Sequence, residues 1–260
     1  VFVDPDDWIL PDYCLGLYNL QAAYSGRGLV IQGMLCRRTD GTSLPSLSLP
    51  DRYLPFSSIG KSFAENNICE MGYAVSKIYA RSIIEEFSIR FDENIHCLED
   101  LLFMYQYLLH CDYLVLNHMQ NYVYVKHSFS LSHRIHSFES EYCCFVKYQQ
   151  LLAEMMKVWK IPAGDMVVTV NSMLVPFRRA LKSDYQPDRT IPREMRVKHL
   201  KRMISESRDV FLKYYHPVFK TDKLGKVLLG FNCYILYDFY IRLLFRLNIG
   251  PVFYGPKHMY

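Results

Sequence analysis

Apolar and polar positions change their period several times along the 260 residues, and each change marks an element. Residues 1–3 (VFV) are a short apolar run that reads as a buried strand. The run stops at Asp4-Pro5-Asp6-Asp7, with Trp8 next. Pro11-Asp12 opens a helical pattern lasting to about Ser25, with Pro in the first turn, where its missing N–H costs nothing. Residues 28–37 (GLVIQGMLCR) alternate and predict one strand. Residues 39–55, rich in Gly, Ser and Pro, predict a loop, and residues 55–66 a helix. Residues 73–78 (YAVSKI) are apolar with one Lys, and 81–87 predict a helical turn or two. Residues 98–110 (LEDLLFMYQYLLH) repeat apolar positions at i, i+3 and i+4, with Glu99 and Asp100 in the first turn. Residues 113–116 and 122–126 predict two strands joined by a turn.

The character changes after Ser130. Residues 137–158, 163–182, 192–214 and 222–248 all have helical periodicity, broken at Pro162, Pro187, Pro192 and Pro217. The expected boundary lies at residue 135, with an α/β part over 1–135 and a helical, basic part over 136–260. No repeat of fixed period is present. The stretch 224–249 is the most apolar, but Lys226, Asp238, Arg242 and Arg246 interrupt it, which excludes a transmembrane helix. Its pattern suits burial against neighbouring helices, or a helix lying in a membrane interface.

Composition sharpens the division. Half of the residues are hydrophobic, enough for a sizeable core and unlike a disordered or collagenous chain. The net charge of +4 hides an asymmetry: residues 1–140 carry −6 and residues 141–260 carry +10. A basic half suits nucleic acid, anionic lipid or phosphorylated ligands, or is an ordinary helical surface. Its Lys and Arg are scattered without a nucleic-acid motif, so no nucleic acid is expected as a partner. Eight cysteines with no C-x-x-C spacing predict buried free thiols in a reducing compartment, hence a cytoplasmic protein. The chain shows no signal-peptide pattern and starts on an apolar run already in progress, from which a portion preceding Val1 is expected.

Two carboxylate pairs carry the candidate chemistry. Asp4 and Asp6 flank one residue after an apolar run, an arrangement that suits a hard divalent cation such as Mn²⁺ or Mg²⁺, and equally a solvated turn. Glu99-Asp100 opens a helix, where the dipole alone favours carboxylates by about 0.3–1 kcal/mol each.

The longer strings say more. VFVDPDDWI resembles the metal-binding motif of family-2 glycosyltransferases of GT-A fold, an apolar strand followed by D-x-D-D-W, with Pro5 where Ser is usual. Residues 76–103 (SKIYARSIIEEFSIRFDENIHCLEDLLF) resemble the acceptor-site segment of the same family, with Leu98 where Gly is usual. The string Tyr122-x-Tyr124-x-x-His127-x-x-Ser130-x-Ser132 resembles its Y-x-Y…S-x-S stretch. The resemblance covers about residues 1–135.

The resemblance implies a truncated GT-A (Rossmann-like) α/β domain followed by an α-helical C-terminal region. It makes Asp6 the ligand of a metal bridging the donor diphosphate, with Asp4 at the ribose or the metal. It places Trp8 and Asp7 on the acceptor side, Glu99 as an orienting group and Asp100 as the general base. His127 would complete the metal site, or is a surface histidine. Lys126 and Arg134 would neutralise the leaving diphosphate, or are solvated. The implied activity is inverting, metal-dependent transfer from a nucleotide-sugar donor to a glycan or lipid-linked acceptor. Bacterial cell-surface polysaccharide synthesis at the inner membrane face is the implied setting, with peripheral contact through the basic tail. Lacking donor-binding strands, the chain alone is expected to be a poor enzyme. Pro5 and Leu98 favour the rival reading, a non-catalytic glycan- or membrane-binding protein that keeps the fold. A metal-dependent phosphate-ester hydrolase is a third.

Overall fold

The computed structural model describes residues 1–66, 68, 71–127, 134–161, 166–186, 188–217, 219–247 and 249, the side chains of 64, 166–173, 210, 213 and 214 excepted. The chain forms two compact units. The first comprises Val1–Glu93, Leu98–Leu131 and Gln150–Asp165; the second comprises Asn94–Cys97, Ser132–Gln149 and Met166–Tyr260.

Among the described residues, the first unit is built on two mixed sheets of four strands. Its strands are β1 (Trp8–Ile9), β2 (Gly28–Gln32), β3 (Met34–Arg38), β4 (Ser43–Leu47), β5 (Arg52–Pro55), β6 (Lys77–Tyr79), β7 (Tyr113–Asn117) and β8 (Tyr122–Lys126). One sheet runs β5-β7-β2-β6 and the other β1-β8-β3-β4. Every residue of β2 and β7 is buried, and the two pair in parallel from Gly28↔Tyr113 to Gln32↔Asn117. Parallel strands covered on both faces read as continuous apolar runs, which GLVI and YLVL are. Around them pack α1 (Tyr13–Ala22), α2 (Phe56–Glu65), α3 (Arg81–Glu86) and α4 (Glu99–Leu108). Seven of the ten residues of α4 are buried, so it is a core helix rather than a surface one.

The structure differs from the sequence-based expectation in four places. Residues 28–37 form two strands in different sheets, separated at Gly33. A Cβ there would stand 2.5 Å from the Leu47 carbonyl, a close approach that only glycine permits. The Pro- and Ser-rich stretch 39–55 contains β4 and β5, whose prolines Pro45 and Pro55 sit on edge strands, where a missing N–H is tolerated. Residues 1–3 form no strand; Val1 and Val3 are exposed and only Phe2 packs inward. β7 and β8 likewise enter different sheets rather than forming a hairpin.

The second unit is helical. It holds the larger part of α5 (Phe138–Trp159), then α6 (Met166–Ser183), α7 (Arg193–Glu206), α8 (Arg208–Tyr214), α9 (Lys220–Gly230) and α10 (Tyr234–Arg246). Two long periodic stretches are each broken once, at Ser207 and over 231–233. Ion pairs with little solvent exposure tie these helices together. Arg179 grips Glu141 with two bonds of 2.8 Å, and Arg196 grips Asp238 at 2.6 and 3.0 Å. Arg178 and Lys182 both reach Asp222, at 2.7 and 3.4 Å. Part of the basic excess is therefore internal and already neutralised. The thiols are not uniformly buried: Cys111 and Cys144 are, whereas Cys14 is exposed. No helix among the described residues is long and apolar enough to cross a membrane.

Gly28 offers a direct test of the central pairing. The Tyr113 ring lies across it, so close that an added Cβ would meet Cε2 at 2.1 Å. Gly28→Ala is expected to destabilise the fold by about 1–3 kcal/mol, as an overpacked core position does, read as a lowered urea midpoint.

Candidate functional site

The amino-terminal acidic string folds into a β-turn, closed by the Asp7 N–H donating to the Asp4 carbonyl at 3.1 Å. Pro5 occupies the second position of that turn, which its fixed φ favours, and Asp4 the first, a common place for Asp. The turn is fastened to β8. The Tyr122 hydroxyl donates to Asp7 Oδ2 at 2.6 Å and accepts from the Asp4 N–H at 3.1 Å, while the Val125 N–H donates to Asp7 Oδ1 at 2.7 Å. Asp7 thus has both oxygens engaged in holding the turn. Burial raises its pKa, against the lowering effect of these bonds. Trp8 follows in β1, paired with Val123 and 43% exposed, so its indole is not a core side chain.

At the far end of β8, Lys126 is exposed and His127 turns back to the acidic string. His127 Nε2 lies 3.1 Å from Asp6 Oδ2; this nitrogen is buried within a side chain that is 41% exposed, and among the described residues it makes no well-aligned hydrogen bond. Two neighbouring ligands of an octahedral divalent ion, with bonds of about 2.1 Å, stand about 3 Å apart. The orphaned imidazole nitrogen and the carboxylate therefore fit such an ion. No three His, Cys, Asp or Glu side chains among the described residues group as a complete cage. Magnesium-like ions commonly take only one or two carboxylates, with water and phosphate filling the other positions.

The second carboxylate pair comes from α4. Its N-cap, Leu98, is held in the left-handed region with φ 66° and ψ 16°, a conformation natural to glycine and strained for leucine. This turn brings Glu99 and Asp100 onto the first turn of the helix. Protein atoms crowd the Asp100 carboxyl while part of the residue stays open to solvent. Burial first, and then the charge of Glu99, push its pKa up to about 7. The Leu101 N–H, donating to Oδ1 at 2.8 Å, and the charge of Lys77 pull the other way.

The two pairs meet within the first unit. Phe2 packs edge-on against Phe103 of α4, Tyr79 and Phe91, with ring centres 5.5–5.6 Å apart. Phe2 lies two residues before Asp4, and Phe103 three residues after Asp100. Asp4 accordingly feels the charge of Glu99: burial raises its pKa first, with Asp7, Asp6 and Glu99 adding to the rise.

Lys77 stands in the SKIYAR string that resembles the acceptor-site segment, but the sequence assigned it no role of its own. It is fully buried in β6, with Nζ 3.4 Å from the centre of the Tyr73 ring and bonded to the Tyr73 and Val75 carbonyls. Burial drives its pKa well down, opposed by Asp100. The signal available was a lysine in a strand pattern, and a buried cation needs a partner. Arg134 belongs to the second unit, where its carbonyl accepts from Arg179. Ser130 and Ser132 lie outside the described residues.

The chain superposes on residues 1–349 of Staphylococcus aureus TarS with a TM-score of 0.56 and 14% identity, covering 95% of this chain and 66% of that one. It has a glycosyltransferase fold. A second structure, TarS 1–349 in complex with UDP-GlcNAc, gives a TM-score of 0.47 at 15% identity, over 95% of this chain and 67% of that one. Neither a protein-family model nor a curated protein sequence matches the chain.

Two stability measurements follow from α4. Asp100 holds its proton to about pH 7 when folded and to about pH 4 when unfolded. The folded state therefore binds more protons between these values, and the Asp100 contribution to stability falls as pH rises through the window. Asp100→Asn should stabilise the protein by about 2–4 kcal/mol at pH 8 and by little at pH 4, read by urea titration. Leu98→Gly should be more stable than Leu98→Ala by about 1 kcal/mol, because only glycine relieves the left-handed strain.

Proposed function

We propose that this protein is an inverting, metal-dependent glycosyltransferase of the family-2, GT-A type. It would move a sugar from a nucleotide-sugar donor to a glycan or lipid-linked acceptor in cell-surface polysaccharide synthesis. The observation that carries the reading is the carboxyl of Asp100, densely surrounded yet partly open, with a pKa near neutrality. The glycosyltransferase fold supports the same class.

A general base works best when its pKa lies near the operating pH, because it is then both ionised and basic enough to take a proton. Asp100 removes the proton of the acceptor hydroxyl as that oxygen attacks the anomeric carbon, and the bond to the donor diphosphate breaks on the opposite side. One such displacement inverts configuration. Glu99 keeps Asp100 basic through its charge and orients the acceptor. Asp6 and His127, with Asp4 beside them, would hold Mn²⁺ or Mg²⁺, which supplies positive charge to a departing diphosphate. Asp7 fixes the turn that presents Asp6. The exposed face of Trp8 offers a stacking surface for an acceptor sugar. Lys126, at the end of β8, is assigned to the leaving diphosphate; Arg134 lies in the second unit and takes no part in this assignment. Pro5 occupies the second position of a β-turn and Leu98 adopts the left-handed conformation that glycine favours.

The test is Mn²⁺-dependent turnover of a panel of nucleotide sugars. One donor should be hydrolysed or transferred, with loss on chelation of the metal and in Asp6→Ala and His127→Ala. Asp100→Asn should lower transfer by about 10²–10⁴-fold while donor binding persists. The wild-type pH profile of kcat/KM should rise to a plateau through about pH 7. If no donor binds or turns over with metal present, the transferase reading fails.

A further inference from the structure

We propose that the helical hairpin α9–α10 is a docking surface for an anionic phospholipid bilayer. The two helices run antiparallel: the Tyr240 hydroxyl donates to the Thr221 carbonyl at 3.0 Å, and the Tyr237 ring would lie 3.0 Å from a Cβ on Gly225. One side of α10 is occupied. Tyr237, Asp238, Ile241 and Leu244 are buried, and Asp238 is locked by Arg196 of α7 and by the Tyr185 hydroxyl at 3.1 Å.

The opposite side is strongly apolar and open. Phe231 is 78% exposed and Phe239 69%, with Ile235, Leu236 and Leu247 all above one half. Along α9, Leu224 and Val227 continue the exposed apolar stripe. Isolated exposed hydrophobes are ordinary, but two aromatic and several aliphatic side chains in one hairpin are not.

Charge selects the occupant. Between residues 219 and 249 the acidic residues are Asp222 and Asp238, and both are buried in ion pairs. Lys220, Lys223, Arg242 and Arg246 are exposed. The open face therefore presents hydrophobes and cations with no exposed carboxylate among its described residues. Such a surface inserts its apolar side chains at the headgroup boundary while the cations meet anionic lipid. A second copy of the chain is a poor occupant, because an isologous pairing sets these cations against themselves without a counter-charge. The inference does not depend on catalysis.

The experiment is sedimentation of the full chain with phosphatidylcholine vesicles, with and without phosphatidylglycerol. Binding is expected only to the anionic vesicles, and it should weaken as salt rises. Each cation near an anionic surface adds about fivefold, so Arg242→Gln with Arg246→Gln should weaken binding on the order of 25-fold. Phe231→Ser with Phe239→Ser should weaken it at least about tenfold through lost apolar insertion. These side chains are exposed, and unchanged circular dichroism would show that the fold is kept. Equal binding to neutral and anionic vesicles, or no loss in either double variant, overturns the proposal. So does failure to bind vesicles, whether the chain then dimerises through this face, with Phe239→Ser dissociating the dimer, or binds an acidic protein there instead.

Discussion

Two stretches of chain lie side by side and leave one sheet for the other together, and the first unit depends on this pairing. Residues 28–32 pair with 113–117, and residues 35–38 with 123–126, both in parallel. The second stretch carries three more residues between its strands than the first, and they fall in the loop before β8. A parallel pair cannot be closed by a tight turn, so the long connection between the stretches must travel away and return. α4 is part of that return. Its first turn carries Glu99 and Asp100, and β8 ends on His127. The same pairing thus sets the base candidate and the imidazole on elements whose places are fixed by buried backbone bonds.

The amino-terminal turn is attached to this frame by side-chain contacts as well as by the two-residue strand β1, which pairs with β8. Asp7 and Tyr122 tie it to β8, and Phe2 seats it against α4 and β6 through aromatic edges. The site consequently concentrates negative charge: beyond burial, the charges of Asp7, Asp6 and Glu99 raise the pKa of Asp4 and that of Glu99 raises the pKa of Asp100, while buried Lys77 opposes the latter. Such crowding lowers stability at neutral pH, and sites that bind cations or move protons are where folds carry this cost. Leu98, strained in a left-handed cap, adds a second local expense at the same turn.

The helical unit handles charge differently. Arg178, Arg179, Lys182 and Arg196 are consumed in ion pairs with little solvent exposure, so its formal excess overstates what the surface offers. Breaking such a pair leaves an unpaired charge in a poorly solvated place, which makes these contacts specific even where they add little net stability. What remains outside is unevenly distributed, with the α9–α10 hairpin cationic and apolar at once.

Much of this was legible in the chain. α1, α2, α4 and the helices from α5 onward follow from a 3.6-residue period, because a helix imposes its own spacing through bonds between near neighbours. The acidic string and the Glu99-Asp100 pair were legible as short patterns of residue type. The break at Gly33, the strands within 39–55 and the loss of strand structure at residues 1–3 were not. Strand existence depends on a partner far along the chain, and alternation alone names no partner. The same reason hid Lys77, whose meaning comes from Asp100, twenty-three residues away. Sequence by itself determined which local elements form and which carboxylates are candidates, since both are set by neighbouring residues. Tertiary structure alone decided that β2 and β3 part company, that Asp7 is a fastener, and that His127 meets Asp6, because long-range pairing of buried backbone fixes those positions.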